Sequence, residues 1–564
     1  MKNSLKFAAL CAAALALFSC SNSSSSPQPQ QTSQQPQQPQ ETQQPQQQTA
    51  KKTSDWLFLF YFDADDGRIN DDLYKNIRDI ECAFAQTKNA DGTMKDGYAS
   101  VTALVLWDGI NDALKNQNQK YIHADGALYE IGPDSSLVYD SQSHYITDAS
   151  LGDTFKIGPN TKDLTESARD WLPQEPNMAD PQTFTNFLKW AKGKYSAQNV
   201  VVCLQDHGSG TGKETYKDSK AGSRDGVSGN AMISAMLCSD ATNGENRMLT
   251  CRNITEALAE AGYTGADKPK ILWNDLCLQA TAEILWNYKG CADYYCASSN
   301  ESWMPDYYGF FVNLKNGMSV VDVGKTMVSA YRARYSLKPT MPSADSDQDA
   351  QNSRASCYLT YTLSFMSLDE TKVKALKDGV DSLADSLLAI KEGGQTVTNG
   401  SETLFNAVYT SFVKQDKTSL ANCKGMTFNG SDFWLNDLGC LCQQIAGDDQ
   451  FSAAQQSANN LLNLLKNGDD KLIVYAWGGK RVLDENFGGA QSVSDKELYL
   501  TGQSDFIAKD TVPVLNANDY YGLTIVGSSK YTDDTTGKNL VVCYDDWAGF
   551  SSKWAQVINA WVGL

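Results

Sequence analysis

Three residue types that perform acyl chemistry recur in the same kind of place along this chain. His207 follows an apolar run at 199–204 and precedes glycines at 208, 210 and 212. Cys277 follows a second apolar run at 270–273, and Asp275 stands two residues before it. A neutral imidazole is the side chain suited to take a proton from a thiol near pH 7. The resulting thiolate attacks carbonyl carbon, so His207 and Cys277 together would make a nucleophilic dyad. In purely structural roles the same two residues would be a surface histidine on a turn and a buried thiol closing a strand. The other histidines, His123 and His144, lie in polar loop sequence with no catalytic residue types beside them.

Two phosphate- or metal-binding readings fail on spacing. The stretch from Gly208 to Glu214 superficially resembles a phosphate-binding P-loop. Three residues, not four, separate Gly208 from Gly212, and Glu214 follows Lys213 where Ser or Thr would hold magnesium. The acidic run 345–349 begins like a calcium loop, but Ala350 replaces the turn glycine and Ser356 the closing glutamate. Thiol chemistry requires no cofactor, and no metal ligands are assigned. A loose Ca2+ site, there or at Asp63, Asp65 and Asp66, is the one cation reading the acidic turns leave open.

The elements that must position these residues are strands and helices in alternation. Runs at 56–62, 101–107, 199–204 and 270–273 are apolar on both faces, and residues 180–191 and 254–261 carry helical patterns. Such a sequence predicts an α/β fold whose parallel sheet is covered on both sides. Ligands of these sheets sit beyond the carboxyl ends of the strands, where His207, Asp275 and Cys277 all fall. Strand alternation would place Asp275 and Cys277 on one side of that edge. Beyond about residue 340 the pattern changes. A helical stripe (Val373, Leu376, Val380, Leu383, Leu387), a second helix at 451–465 and strand-like runs at 472–477, 521–526 and 540–544 predict a C-terminal α/β or α+β domain.

The N-terminus carries an address. Lys2 and Lys6 precede an apolar run at 7–18 that ends at Ser19 and Cys20, the layout of an export signal. This ending resembles a bacterial lipobox, which implies cleavage before Cys20 and lipid on its thiol. Residues 21–50 contain 13 Gln, 5 Pro, 6 Ser and 3 Thr and cannot bury enough surface to fold. The organisation read from the chain is a signal peptide (1–19), a lipidated Cys20 with a linker (20–52), a catalytic domain (53–340) and a C-terminal region (341–564). The protein would be exported and anchored by lipid to a bacterial membrane, facing the periplasm or the exterior.

Bulk composition excludes several classes. The 564 residues carry a net charge of −19, with the first 50 contributing +1, so the body has no electrostatic footprint for nucleic acid. No stretch beyond residue 20 approaches the roughly 18 apolar residues of a membrane span. Fourteen cysteines are scattered without a disulfide framework.

Residues 199–210, with Asp206, His207 and Gly208, and residues 275–279, with Asp275 and Cys277, resemble the clostripain family of cysteine peptidases. Supporting pieces stand in family order: 56–66, 184–190, 296–301 and 520–525. The resemblance is good over about 55–335 and thin elsewhere. It implies a caspase–haemoglobinase-like, mostly parallel sheet flanked by helices, and an endopeptidase cleaving after Arg or Lys through a Cys277–His207 dyad with no third residue. It further implies that Asp275 lines the first specificity pocket. Backbone N–H groups of Gly208 and Cys277 would hold the oxyanion. It also implies self-cleavage in the stretch between His207 and Cys277, after Lys213, Lys217, Lys220 or Arg224. Leu276 and Gln279 depart from the family's Asp-Ala-Cys-Leu-Met, and 301–305 lack its Pro-Gly-x-Gly-Trp. The alternative is a non-enzymatic surface lipoprotein that grips glycan or protein with some of its 58 aromatic residues.

Overall fold

The computed structural model describes residues 51–65, 69–89, 91–110, 119–208, 237–239, 242, 248–299, 302–336, 360–398, 427–428, 431–466, 468–483, 493–498, 521–532, 539–540 and 550–562. Ten strands of these residues form the main sheet: β1 (Lys52–Ala64), β2 (Val101–Gly109), β3 (Ala127–Glu130), β4 (Lys162–Asp163), β5 (Tyr195–Gln205), β6 (Ile271–Asp275), β7 (Tyr294–Ala297), β8 (Thr360–Ser367), β9 (Ile473–Leu483) and β10 (Val493–Leu498). Their order is β10-β9-β8-β7-β6-β5-β1-β2-β3-β4. The five central strands, β7-β6-β5-β1-β2, run parallel. Both flanks pair antiparallel, so the sheet is mixed and the expected parallel order belongs to its centre.

Central strands buried on both faces must be apolar along their buried stretch, and β1 is apolar at every position from 56 to 62. Trp56, Phe58, Phe60 and Phe62 enter one core, and Leu57, Leu59 and Tyr61 the other. Helices α1 (Asn70–Thr87), α5 (Tyr307–Phe311) and α6 (Val320–Ser336) cover the aromatic face, where Phe60 meets Tyr307 edge-on at 5.3 Å. Helices α2 (Pro181–Lys194), α3 (Cys251–Glu260), α4 (Ala282–Tyr288) and α7 (Glu370–Glu392) cover the other, with α8 (Leu438–Gly447), α9 (Gln455–Leu465) and α10 (Ser552–Val562). Asp180 caps α2 by accepting from the Gln182 N–H, with Pro181 at the first helical position. Helix α3 starts three residues earlier than the apolar pattern predicts, because Thr250 and Asn253 form a reciprocal capping box.

The boundary expected at 340 is not an edge of the sheet. Strands β8 and β9 lie beyond it and continue the ladder from β7, and residues 51–564 make one compact unit. The polar stretch after α6 is a change in the chain's composition that the sheet runs past. A smaller four-stranded sheet pairs 427–428, Ser431–Asp437, Thr524–Thr532 and 539–540. It is tied to the main sheet behind Cys277, because Ala280 O accepts from the Thr524 N–H (2.9 Å) and hydroxyl (3.1 Å). Buried Asp437 in turn accepts from the N–H groups of Tyr521 and Gly522, both at 3.0 Å. The C-terminal region therefore buttresses the loop that carries the thiol. Among the described residues no helix is long and apolar enough to cross a membrane.

Candidate active site

Strand pairing brings His207 and Cys277 to the same sheet edge. At the carboxyl ends of β5 and β6 the last paired residues are Gln205 and Asp275. Two residues further along the chain from each stand His207 and Cys277, just beyond the ends of neighbouring strands whose backbones run about 4.8 Å apart. The backbones touch at this point. A Cβ on Gly208 would lie 2.5 Å from Cys277 O, 2.8 Å from Leu276 Cβ and 3.0 Å from Cys277 N. Only glycine allows that approach. Gly208→Ala should therefore push the two chains apart and lower peptidase activity at least tenfold, a loss of about 1.4 kcal/mol or more in transition-state stabilisation, measured as kcat/KM. Wild-type kinetics in that variant would contradict the packing.

The chain leaves the sheet abruptly after Cys277. Leu278 has φ +61, in the left-handed region, at a cost of about 1–2 kcal/mol for a residue with a branched side chain. Its side chain is 3% exposed, and that burial holds the strained turn. Gln279 is fully buried and donates its Nε2 to Cys277 O at 3.3 Å, while its own carbonyl accepts from Tyr295 Oη at 3.1 Å. Gln279, one of the two residues that differ from the motif, thus secures the Cys277 backbone. Of the nine described cysteines six are buried, and Cys277 is half-buried. His207 is half-buried as well.

Asp275 and Cys277 come together through a third residue. Strand alternation does not reach Cys277, because β6 ends at Asp275 and residues 276–278 turn. Ser302, on the segment after β7, supplies the link. Its N–H donates to Cys277 Sγ at 3.3 Å and its hydroxyl to Asp275 Oδ1 at 2.7 Å. The other carboxylate oxygen accepts from Gln205 Nε2 at 2.5 Å. Asp275 is 5% exposed, and burial pushes its carboxyl up to about 7, against the pull of the Ser302 and Gln205 donors and the Arg334 charge. No spacing in the sequence marks Ser302, which lies 25 residues beyond Cys277.

The remaining histidines are structural. His144 Nδ1 lies 2.9 Å from Asp306 Oδ2, which also accepts from Tyr139 Oη at 2.9 Å. His123 stacks on Phe155 with ring centroids 4.7 Å apart. Around His144 a buried arginine fixes the 302–306 segment: Arg334 donates to the carbonyls of His144 (2.8 Å), Met304 (3.1 Å) and Pro305, and pairs with Asp79 at 3.2 Å.

Two groups have donor sets that could hold a cation. Asp63, Asp206 and Cys238 place one ligand atom each within 4.8 Å of one another, as do Asp65, Asp108 and Glu175. The second, all carboxylate, has the chemistry suited to Ca2+. Asp65 already accepts from the Thr242 hydroxyl at 2.7 Å. The expected trio of Asp63, Asp65 and Asp66 is split between the two groups, with Asp66 outside the described residues. The run 345–349, Cys20, Lys213, Lys217, Lys220 and Arg224 also lie outside them.

Comparison with known proteins places this geometry in a family. Clostripain from Hathewaya histolytica is 25% identical over 236 residues, spanning 34% of this chain and 41% of that protein, so the match covers under half of the relative's length. A secreted C11 cysteine protease from Bacteroides thetaiotaomicron, solved with an irreversible peptide inhibitor, aligns with 13% identity and a TM-score of 0.47 over 90% of this chain and 99% of that one. An inactive zymogen C11 protease from Parabacteroides distasonis aligns with 15% identity and a TM-score of 0.39, over 85% and 93%. The Clostripain family model (Peptidase C11) matches residues 92–561, from before β2 into α10 and across both Asp206-His207-Gly208 and Asp275-Leu276-Cys277; the chain belongs to the clostripain family.

Proposed function

We propose that the protein is a cysteine endopeptidase that cleaves after Arg or Lys, with Cys277 as nucleophile and His207 as its base. The observation that carries this reading is the apposition of His207 and Cys277 at the carboxyl ends of neighbouring parallel strands, with the Ser302 N–H directed at the sulfur. His207 takes the thiol proton, and the thiolate attacks the scissile carbonyl carbon. The oxyanion is held by the N–H groups of Gly208 and Cys277, two backbones already in contact. Collapse of the tetrahedral adduct breaks the C–N bond, and the amine leaves with the proton from His207. Water then hydrolyses the thioester. Asp275 binds the basic side chain before the cut. No cofactor is required by these steps. Protein and peptide chains are the substrates, and lipid on Cys20 holds the enzyme at an exported face of the membrane.

Treatment with iodoacetamide tests the reading: it should label Cys277 ahead of the buried thiols and stop cleavage of an unfolded protein. Labelling elsewhere with cleavage intact would overturn it. The binding-protein alternative draws little support from the surface, since Val138 is the large hydrophobic residue exposed among the described residues.

Basic specificity also makes Lys213, Lys217, Lys220 and Arg224 sites of self-cleavage, in a polar stretch of the kind where nicking concentrates. Intact-mass measurement of active enzyme should return two fragments whose masses place the cut after one of these four residues. Full activity from an uncut chain would reject obligatory processing.

A further inference from the structure

The nucleophile and the specificity carboxylate act on one substrate residue, so the distance between them must be held. Scissile carbonyl and basic side chain are joined by a few covalent bonds, and misplacing either group by an ångström forfeits much of the rate. Neither group is fixed by the other. Cys277 stands in a turn past the end of β6, and Asp275 is the last residue of the strand.

We propose that Ser302 is a positioning residue that holds Asp275 and Cys277 in one geometry, its hydroxyl donating to the carboxylate and its N–H to the sulfur. The proposal rests on the reading of Cys277 as nucleophile and Asp275 as pocket acid. Ser302 can serve as a reference point because its segment is anchored elsewhere. The N–H of Trp303 donates to Tyr331 Oη at 3.3 Å, and Arg334 holds the Met304 and Pro305 carbonyls, both partners standing on α6. Gln205 Nε2 occupies one lone pair of Oδ2 and the Ser302 hydroxyl one of Oδ1. Each oxygen keeps a second lone pair, which is what a bidentate guanidinium needs. The other titratable or charged groups facing Asp275 are Cys203 on β5, Cys296 on β7, Tyr307 on α5 and Arg334 on α6.

The test compares Ser302→Ala, which removes the hydroxyl and keeps the N–H, with Ser302→Thr, which keeps both. On an Arg peptide, Ser302→Ala should lose about tenfold in kcat/KM, chiefly through KM, and Ser302→Thr should recover most of that loss. The hydroxyl stabilises the ionised carboxylate, so its loss should move the acid limb of kcat/KM upward by about half a pH unit. Carboxamidomethylation of Cys277 by iodoacetamide needs the thiol, its base and its N–H partner but no carboxylate at Asp275, and serves as the internal reference. A role confined to holding the loop would slow alkylation in parallel with cleavage, leave the acid limb in place and resist rescue by Thr; any of these overturns the proposal. So does an Ser302→Ala enzyme with wild-type kcat/KM. Asp275→Asn separates the two levels. If it abolishes the preference for Arg while Ser302→Ala does not weaken it, the positioning role alone falls. If Asp275→Asn changes nothing, the pocket assignment falls and takes the positioning role with it.

Discussion

Cys277→Ala and His207→Ala should each abolish peptide hydrolysis, by on the order of 10⁴-fold or more, while the cooperative unfolding transition should stay close to that of the wild type. The size of the loss follows from chemistry: without the thiol no acyl-enzyme forms, and without its base nothing takes the thiol proton as the sulfur attacks. Stability should be spared because both side chains are half-buried beyond the strand ends and neither is a buried member of the two cores, Cys277 packing against the margin of one. Single-turnover assays on an unstructured protein, with thermal melts of the same preparations, measure both quantities. Wild-type turnover in either variant would remove the dyad.

Asp275→Asn should lose roughly 30- to 150-fold in kcat/KM on peptides with Arg or Lys before the bond, and nothing comparable on Gln or Leu peptides. That range corresponds to about 2–3 kcal/mol for a charge-assisted contact replaced by a neutral isostere. The substitution is nearly isosteric: the Ser302 hydroxyl still finds an oxygen acceptor, while the Gln205 amide loses the oxygen it donated to. The pH dependence supplies a second readout. Burial pushes the Asp275 carboxyl up to about 7, so in the free enzyme it is neutral below that value and charged above it. Cleavage after basic residues should strengthen as pH rises through about 7, and Asp275→Asn should lose that ionisation while keeping those of the dyad. Stability runs the other way. A carboxyl whose folded pKa lies above its unfolded value of 3.8 favours the fold while neutral and loses that contribution as pH rises through about 7. Asp275→Asn should therefore gain thermal stability relative to wild type at pH 8 and not at pH 3. Equal cleavage of Leu and Arg peptides by the wild type would sink the pocket assignment even if the dyad survived.

The parts of the site that could be read from the chain are those set by short-range pattern. Apolar runs at 199–204 and 270–273 had to be strands buried on both faces, and polar residues directly after them had to emerge at the carboxyl edge. Boundaries were less legible. Helix α3 begins at its capping box, ahead of its apolar stripe, and β8 and β9 pair antiparallel with or next to a parallel centre, an arrangement that no local period announces. The composition change near 340 suggested a separate domain, because polar sequence between elements looks the same whether or not the sheet continues past it.

By itself the sequence determined which residues could do the chemistry and that they lie at strand ends, since residue type and strand period are local properties. Only the tertiary structure decided how they meet. The pairing of β5 with β6 sets His207 beside Cys277 across 70 residues, and Ser302 joins the thiol to Asp275 from a different loop. Arg334 anchors that loop from α6, and Thr524 closes on Ala280 from the small C-terminal sheet. Each of these is a hydrogen bond between segments far apart in the chain, whose partners are selected by packing and desolvation once the cores have formed, and no spacing along the sequence encodes them.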